Sequence, residues 1–174
     1  SCRFIPLFLK ASASLSVTSG TGEVVAFDLD GLEKWRFNAQ ERYGKFRYGF
    51  GFHSTTILHE GRLYLQLIHS SAQLVICVEA DSGKEVWKVE RESDGVAECE
   101  HSYASPTAYR KDDLNVLITH GNDYCIGHDP VTGKELWRVA GLNPKNQYNR
   151  TLRFVASPVV SQGLLVVPSA KNRG

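Results

Sequence analysis

The 174-residue sequence contains no methionine, no excess of either charge, and no apolar run near the ~18 residues that a bilayer span needs. Its 20 basic and 19 acidic residues leave a formal net charge of +1. This balance removes the electrostatic reason to expect nucleic acid or an anionic membrane as a partner. The sequence therefore predicts no nucleic-acid partner and no membrane span.

The four cysteines lack the spacings of a zinc site or of a disulfide framework. No two of them form a Cys-x-x-Cys pair, so neither kind of site is indicated and the redox compartment is left undetermined. The composition also excludes a disordered chain, because 42% of the residues are hydrophobic and only 22% are charged. We expect a folded protein that depends on an ordinary apolar core.

The main positive feature is an internal repeat. Three segments share an aliphatic run, a turn that contains glycine, and a tryptophan, and they cover residues 24–36, 75–88 and 125–138. All the tryptophans of the chain fall at the same place in this unit, at Trp35, Trp87 and Trp137, with spacings of 52 and 50 residues. A period near fifty is typical of propeller blades and similar arrays.

A second marker recurs in phase with the tryptophans. Ser54, Ser105 and Ser157 each begin a short run of strand-forming residues, and their spacings are 51 and 52 residues. Two markers with one period make chance similarity an unsatisfactory explanation, so the repeat is a property of the fold.

One repeat unit is predicted to contain four short strands. Turn residues separate runs rich in Val, Ile, Leu, Thr and Tyr, at 54–59, 62–68, 74–79 and 84–89. No segment shows sustained helical spacing of apolar residues, so almost no helix is expected. Four antiparallel strands in each unit indicate a blade of a β-propeller, whereas solenoid repeats usually alternate strand with helix.

Two of the segments carry a recognisable motif. Residues 26–35 read Ala-Phe-Asp-x-Asp-Gly-x-x-x-Trp, and residues 129–138 read Asp-Pro-x-Thr-Gly-Lys-Glu-Leu-Trp-Arg. They resemble the pyrroloquinoline-quinone-type propeller repeat with its tryptophan-docking motif, over roughly residues 15 to 170. The resemblance implies an all-β, quinoprotein alcohol dehydrogenase-like partial propeller. It also implies structural docking roles for Trp35, Trp87, Trp137, Gly31, Gly83 and Gly133.

The repeat divides the chain into about three blades. It predicts one incomplete propeller domain over 1–174, with a partial blade at 1–37, blades at 54–89 and 105–139, and a partial blade at 157–174. Closed propellers usually have four to eight blades. Together with the missing methionine, this count favours a fragment over a small complete protein, and we expect further blades or self-association to cover the ends.

Long loops precede the predicted innermost strands and collect aromatic and cationic side chains. His101 and Arg153 each stand four residues before their serine, so they occupy matching positions in successive blades. Such loops surround the channel mouth, where propeller ligands usually bind, and these side chains suit a carboxylate, a sugar or a peptide. The alternative is that they are solvated loop residues and packing aromatics. The candidate ligand-binding residues are His53, His101, Tyr103, Arg150 and Arg153.

No catalytic residue and no metal site is assigned from the sequence. The run Glu98-Cys99-Glu100-His101 contains metal-binding side chains, but in an extended chain neighbouring residues point to opposite sides. No Ser-His-Asp order or phosphate-binding glycine loop is present. His59, His69, His120 and His128 are predicted to be structural or exposed.

The resemblance implies two functional classes. Quinoprotein dehydrogenases need a carboxylate base, oxygen ligands for calcium and an aromatic floor under the quinone, and in that family a disulfide between adjacent cysteines covers the cofactor. This sequence has no Cys-Cys pair, and its tryptophans all occupy docking positions. We therefore expect a non-catalytic binding or scaffold module, without a cofactor, that engages a protein, small-molecule or carbohydrate ligand through its mouth loops.

The alternative is a fragment of a dehydrogenase that uses pyrroloquinoline quinone and calcium, with its catalytic blades outside this chain. Fold alone does not choose between the two classes, so the question of an enzyme stays undecided at this stage. The resemblance favours a bacterial protein of the periplasm or cell envelope.

Overall fold

The computed structural model describes residues 15–18, 20–49 and 51–168. Within these residues the chain forms four antiparallel sheets, one after another along the sequence. The apolar run at 4–9, which the sequence favours as a buried strand, lies outside the described residues. No helix in the described part is long and apolar enough to cross a membrane.

The first sheet has three described strands and ends in a single helical turn. The strands are β1 (Leu15–Thr18), β2 (Glu23–Phe27) and β3 (Glu33–Asn38), and the helix is α1 (Ala39–Tyr43). The side chain of Asn38 begins this helix by accepting hydrogen bonds from the backbone N–H groups of Gln40 and Glu41. Gly44, with a φ of 99°, ends it.

The second and third sheets each have four strands in sequence order. The second contains β4 (Ile57–His59), β5 (Arg62–His69), β6 (Ala72–Glu79) and β7 (Glu85–Glu90). The third contains β8 (Thr107–Lys111), β9 (Leu114–Gly121), β10 (Tyr124–His128) and β11 (Glu135–Val139). The central strands β5 and β9 are buried on both sides, because a neighbouring sheet covers each face.

The last sheet has two described strands, β12 (Val159–Ser161) and β13 (Leu164–Val166). Two short 3₁₀ helices, Ala97–Glu100 and Lys145–Gln147, lie in the connections before the third and fourth sheets. The order of four-stranded sheets confirms the all-β, partial-propeller prediction, and the helical content is small as expected.

Each sheet packs its aliphatic face against the next sheet. The layer between the first and second sheets contains Val24, Phe37, Leu63, Leu65, Leu67, Ile76 and Val78. The layer between the second and third contains Tyr64, Val75, Cys77 and Leu117. The layer between the third and fourth contains Val116, Ile118, Cys125, Val160 and Leu165. The core of the molecule is therefore a set of inter-blade layers rather than one central cluster.

Two of the three tryptophans join their blade to the following one. The indole Nε1 of Trp35 donates a hydrogen bond to the carbonyl of Ala80 at 2.9 Å. Its ring lies directly on Gly83, where an added Cβ would meet Trp35 Cε3 at 2.7 Å. Trp87 repeats this geometry one blade later, because its Nε1 donates to Pro130 at 3.2 Å. A Cβ on Gly133 would likewise meet Trp87 Cε3 at 2.7 Å.

The third tryptophan and the first turn glycine do not make this contact within the described residues. The ring of Trp137 lies over Gly127 of its own sheet, where an added Cβ would come within 2.1 Å of Cε2. Gly31 has no other residue within 4 Å of the position of a Cβ. A docking contact joins a tryptophan of one sheet to the β-turn between the third and fourth strands of the next. In the described part of the chain, Trp137 has no such turn after it and Gly31 has no tryptophan before it.

Candidate functional site

The recurring serines link successive blades at the start of the innermost strands. The hydroxyl of Ser105 accepts a hydrogen bond of 2.8 Å from the backbone N–H of Thr55. The hydroxyl of Ser157 accepts one of the same length from the backbone N–H of Ser105. The serine period therefore reflects an inter-blade hydrogen bond, in which the hydroxyls of Ser105 and Ser157 accept from backbone groups.

Three long connections lead to Ser54, Ser105 and Ser157 at the start of the innermost strands. We call residues 39–56, 91–106 and 140–158 the mouth loops. An isolated parallel bridge joins Ser102 to Phe154, and Tyr103 N donates to Phe154 O at 2.9 Å. This pairing of the second and third mouth loops places Tyr103 beside Arg153.

One cavity of about 550 Å³ opens where the mouth loops meet, and we call it the mouth cavity. Each of the three loops contributes to its wall, because it is lined by His53, Tyr103, Ser105, Arg153, Val155 and Ser157. The rings of His53 and Tyr103 lie 5.9 Å apart. Three of the five candidate ligand-binding residues are thus brought together, although they come from three different loops.

The mouth cavity contains an ion pair at its wall. Arg153 Nε donates to a carboxylate oxygen of Glu98, and both side chains are about one-third exposed, at 36% and 37%. Glu98 therefore holds the guanidinium in place and partly neutralises it. An ion pair of this exposure contributes little stability, so its main effect is on the orientation of Arg153.

His101 and Arg150, the other two candidates, do not line this cavity. The ring of His101 packs near Tyr48 and Tyr103, and burial lowers its pKa. Arg150 is exposed, and its backbone carbonyl accepts from the N–H of Glu98. The matching sequence positions of His101 and Arg153 do not give them equivalent surroundings, because the two loops differ in length and path.

An aromatic cluster supports the mouth cavity from below. Tyr48 packs edge-on against His69, with ring centroids 4.7 Å apart, and its hydroxyl accepts from the N–H of Ile68. Burial lowers the pKa of His69 to about 4, so this imidazole is neutral at physiological pH. The cluster holds the first mouth loop against β5 and so fixes the direction in which His53 enters the site.

Asp123 organises the third mouth loop and was not identified from the sequence. It lies in the β9–β10 turn with a φ of 69° and is 2% exposed. Its carboxylate accepts from Asn143 Nδ2 at 3.0 Å, Lys145 Nζ at 3.1 Å and Tyr148 Oη at 2.6 Å. These donors lie 20 to 25 residues away in sequence, and a single acidic residue in a turn does not indicate that it will accept several hydrogen bonds.

The acidic run before His101 has a different geometry from the one expected. Residues 97–100 form a 3₁₀ helix, not an extended segment, and Cys99 is fully buried within it. The alternation of side chains expected of an extended segment therefore does not apply to residues 97–100. Nevertheless, in the described residues no group of three or more His, Cys, Asp or Glu side chains is arranged to hold a metal ion.

Three of the four histidines that were predicted to be structural or exposed lie in the blade interior, namely His69, His120 and His128. His128 is 2% exposed, with Nδ1 at 3.1 Å from the carbonyl of Gly133 and Nε2 at 2.9 Å from Thr119 Oγ1. His120 is fully buried, and its Nε2 lies 2.8 Å from the carbonyl of Pro168. Burial lowers the pKa of both imidazoles to about 4. Neutral His120 bonds to the segment after β13, whereas both partners of neutral His128 lie in its own sheet.

A second cavity, of about 710 Å³, lies beside the β5–β6 turn. It is larger than the mouth cavity but shares none of its lining residues. Its wall is formed by Tyr43, Ser70, Ser71, Ala72, Gln73, Leu74, Lys88, Glu90, Arg91, Glu92 and Ser93. We place the candidate site in the mouth cavity, because its wall takes residues from all three mouth loops, whereas that of the second cavity takes residues from the first two.

The family model for pyrroloquinoline-quinone-like repeats described as outer membrane protein assembly factor BamB matches residues 20–174. The chain belongs to this family. Among curated proteins, no relative matches the sequence. The match covers all three tryptophan units, and it confirms the resemblance that the repeat motifs carry.

Solved structures with the same fold include both functional classes. BamB from Moraxella catarrhalis superposes with a TM-score of 0.68 at 14% identity, over 92% of this chain and 44% of that one. Quinohemoprotein alcohol dehydrogenase from Comamonas testosteroni gives 0.56 at 19% identity, over 74% and 19%. The PilY1 C-terminal domain from Pseudomonas aeruginosa gives 0.55 at 16% identity, over 86% and 33%. At these identities the likeness establishes the fold alone, and the chain spans less than half of each of these structures.

Proposed function

We propose that this chain is a non-catalytic propeller module that binds a polypeptide segment at the mouth cavity. The observation that carries the proposal is the convergence of three successive mouth loops on one cavity, through His53, Tyr103 and Arg153. Ligand sites in proteins are usually concave, with a few polar groups set among apolar ones.

The chemistry of the mouth cavity suits recognition better than catalysis. Its serine hydroxyls accept backbone hydrogen bonds that join successive blades, which gives them a structural role. The remaining wall offers an exposed imidazole, an aromatic ring, a guanidinium and the aliphatic side chain of Val155. Aromatic residues and arginine are enriched where proteins contact each other, which supports a polypeptide ligand.

The family match also supports a role in protein binding. Its description is that of an outer membrane protein assembly factor, which suggests a role in contacts between proteins of a bacterial envelope. We infer a location in the periplasm or cell envelope for this chain on the same basis.

The alternative, a piece of a quinone-dependent dehydrogenase, receives less support from the residues of this chain. Trp35 and Trp87 are engaged in docking, and Trp137 lies over Gly127, so none of them offers a free floor for a quinone. The described residues also contain no cluster of three or more acidic, histidine or cysteine side chains with metal-binding geometry. On these observations we favour a binding module, and we assign no reaction step to the chain.

Binding at the mouth cavity is tested with an array of short peptides that tile outer-membrane protein strands. Peptides that bind the chain are then titrated, as fluorescent derivatives, against Arg153→Ala and Arg150→Ala. We expect Arg153→Ala to weaken binding about tenfold or more, because it removes the cation at the cavity wall. Arg150→Ala is the matched control, since Arg150 is exposed and outside the cavity, and it is expected to bind as the parent does.

A third variant separates the guanidinium from its ion pair. Glu98→Gln removes the carboxylate that holds Arg153 but leaves the cation in the cavity. We expect it to retain binding of the same peptides. If Arg150→Ala weakens binding as much as Arg153→Ala, or if no peptide on the array binds, the mouth cavity is not the recognition site.

The dehydrogenase alternative has its own test. The chain is titrated with pyrroloquinoline quinone in the presence of calcium, and the absorbance of the quinone is followed. Saturable binding that needs both components would favour the alternative over a non-catalytic module, whereas an unchanged spectrum supports the proposal.

A further inference from the structure

The wall of the mouth cavity is rich in hydrogen-bond donors. Among the described residues that line it, Arg153 is the only lysine, arginine, aspartate or glutamate. A guanidinium carries five N–H donors and no acceptor, so this part of the wall binds acceptor groups. The wall therefore offers a ligand one cation and no competing carboxylate of its own.

The two serine hydroxyls of the wall add further donors. Ser105 Oγ accepts from the backbone N–H of Thr55, and Ser157 Oγ accepts from that of Ser105, each at 2.8 Å. A hydroxyl that accepts in this way keeps its own O–H as a donor. Within residues 15–18, 20–49 and 51–168, neither O–H donates to another group. Both serines are partly exposed, so their hydroxyls can donate to a bound ligand.

Arg153 already has a carboxylate partner outside the cavity lining. Its Nε donates to Glu98, which is not one of the residues that line the cavity. The two side chains are 36% and 37% exposed. Because water reaches an ion pair of this kind, the pair is weak, and a second carboxylate can share Arg153 or replace Glu98 on it.

We propose that the mouth cavity selects polypeptide segments that carry a carboxylate, which binds Arg153 in competition with Glu98. This inference rests on the proposed function, because it names the ligand group for the same cavity. An ionised carboxylate only accepts hydrogen bonds, so it matches a wall of guanidinium and hydroxyl donors. A single arginine also suits the one charge of a carboxylate better than the greater charge of a phosphate.

Glu98 then affects affinity as well as the position of the guanidinium. Its charge attracts Arg153 and repels a second anion, and both effects oppose the binding of a ligand carboxylate. Glutamine in its place keeps a side-chain oxygen that accepts from Arg153 Nε but carries no charge. Glu98→Gln should therefore strengthen the binding of acidic segments and leave the binding of neutral segments unchanged.

Matched peptides test the ligand group without any change in the protein. Each peptide that binds on the strand-tiling array is prepared in an acidic form, with a C-terminal amide and its own Asp and Glu residues. A neutral form has the same amide, with Asn and Gln in place of Asp and Glu. We expect the acidic form to bind about tenfold tighter or more at low ionic strength, because only this form pairs with the guanidinium.

A third form distinguishes the two sources of a carboxylate. It has the neutral side chains but a free C-terminal carboxylate. If it binds as tightly as the acidic form, the chain end is a sufficient source of the carboxylate. If it binds as weakly as the neutral form, the carboxylate comes from an acidic side chain. Each of these results, with the tenfold preference for the acidic form, supports the proposal.

Two protein variants show whether Arg153 receives the carboxylate. In Arg153→Ala the acidic and neutral forms are expected to bind within about twofold of each other, because the cation that distinguishes them is gone. Glu98→Gln is expected to bind the acidic form about three- to tenfold tighter than the parent does. Glu100→Gln is the matched control, since it removes a carboxylate from the same 3₁₀ helix that forms no ion pair within the described residues.

Added salt gives an independent measurement. Counterions screen charges that water reaches, so the preference for the acidic form should fall as the sodium chloride concentration rises. The affinity for the neutral form should change little over the same range. A preference that does not depend on salt would contradict a carboxylate bound to the partly exposed Arg153.

Several results would overturn the inference. Equal affinities of the acidic and neutral forms would overturn it and leave the proposed function intact, because the peptides would still bind. A preference that persists in Arg153→Ala, or that Glu98→Gln weakens, would also overturn it. If no peptide binds, the proposed function and this inference fail together. Far-UV circular dichroism of each variant shows whether it is folded, and the comparison between peptide forms needs no variant.

Discussion

The indole Nε1 of Trp87 donates a 3.2 Å hydrogen bond to the backbone carbonyl of Pro130, which lies in the turn between the third and fourth strands of the next blade. Tyr64 Oη donates to the same carbonyl at 3.1 Å. Arg62 Nη1 also donates to it, at 3.5 Å, so one backbone oxygen receives three side chains of the preceding blade, and the indole ring lies on Gly133 beside it. This contact couples the fourth strand of one sheet to the turn of the next.

The docking contact predicts different costs for the same substitution at two glycines. Gly133→Ala introduces a Cβ at 2.7 Å from the Trp87 ring. The backbone at this position has a φ of 77°, which alanine disfavours. Gly31→Ala has a similar φ of 82° but open space around the new Cβ. We expect Gly31→Ala to cost about 1 kcal/mol from backbone strain, and Gly133→Ala about 2–4 kcal/mol because the indole must also move. Urea unfolding measures both free energies, and equal losses would contradict the docking role.

The carboxylate of Asp123 predicts a stability contrast with its neighbour Asp94. Both interact with Lys145, at 3.1 and 3.0 Å, but the side chain of Asp123 is 3% exposed and that of Asp94 is 62% exposed. Asp123→Ala removes the acceptor of the Tyr148 hydroxyl and one of the acceptors of Asn143 Nδ2, which keeps the carbonyl of Asn149, and we expect a loss of about 3 kcal/mol. Asp94→Ala is expected to cost less than about 1 kcal/mol.

The measurement for this pair is the free energy of unfolding in urea, combined with limited proteolysis of the third mouth loop. Asp123→Ala should speed cleavage within residues 140–158, whereas Asp94→Ala should leave the rate near that of the parent. Similar losses for the two variants would show that the carboxylate of Asp123 does not organise the loop.

Buried histidines predict a loss of stability in mild acid. Burial lowers the pKa of His69, His120 and His128 to about 4, against an ordinary value of 6.5. Between pH 6.5 and 4 the unfolded state therefore binds protons that the folded state does not, and the free energy of unfolding falls as the pH falls. Each histidine contributes up to about 1.4 kcal/mol per pH unit in this window.

His128→Gln isolates one of these contributions. Glutamine retains hydrogen-bonding capacity near Thr119 and Gly133 but does not titrate. We expect urea unfolding at pH 7 and pH 5 to show a smaller acid loss for this variant than for the parent. A variant whose stability depends on pH as steeply as that of the parent would exclude His128 from the effect.

Gln66 predicts the cost of removing a polar group from a blade core. Its Nε2 donates to His120 O at 2.8 Å and its Oε1 accepts from His120 N at 3.1 Å. Gln66→Met keeps the side-chain length but removes the side-chain acceptor of the His120 N–H and one of the two side-chain donors to the His120 carbonyl, which keeps Ser102 Oγ, so we expect a loss of about 1–3 kcal/mol. Gln147→Met, at an exposed position, is the control and is expected to change stability by less than about 0.5 kcal/mol. Thermal and urea unfolding distinguish the two.

Within the fold, the sequence predicted those features that repeat. The strands of the second and third sheets follow from local alternation and turn residues, and Trp35 and Trp87 dock where the motif places them. The innermost strands are shorter than expected, since β4 begins at Ile57 rather than Ser54. The residues just before the ladder bond across blades instead, since the N–H groups of Thr55 and Ser105 donate to the hydroxyls of Ser105 and Ser157.

The sequence by itself determined the four-stranded units, their period and the tryptophan that ends each of the three units, because strand periodicity and turn chemistry act over a few residues. Only the tertiary structure decided that His53, Tyr103 and Arg153 line one cavity while His101 and Arg150 do not. It also decided that Asp123 organises the third mouth loop. These outcomes depend on contacts between loops that are about twenty to fifty residues apart, whose paths are set by blade stacking rather than by local pattern.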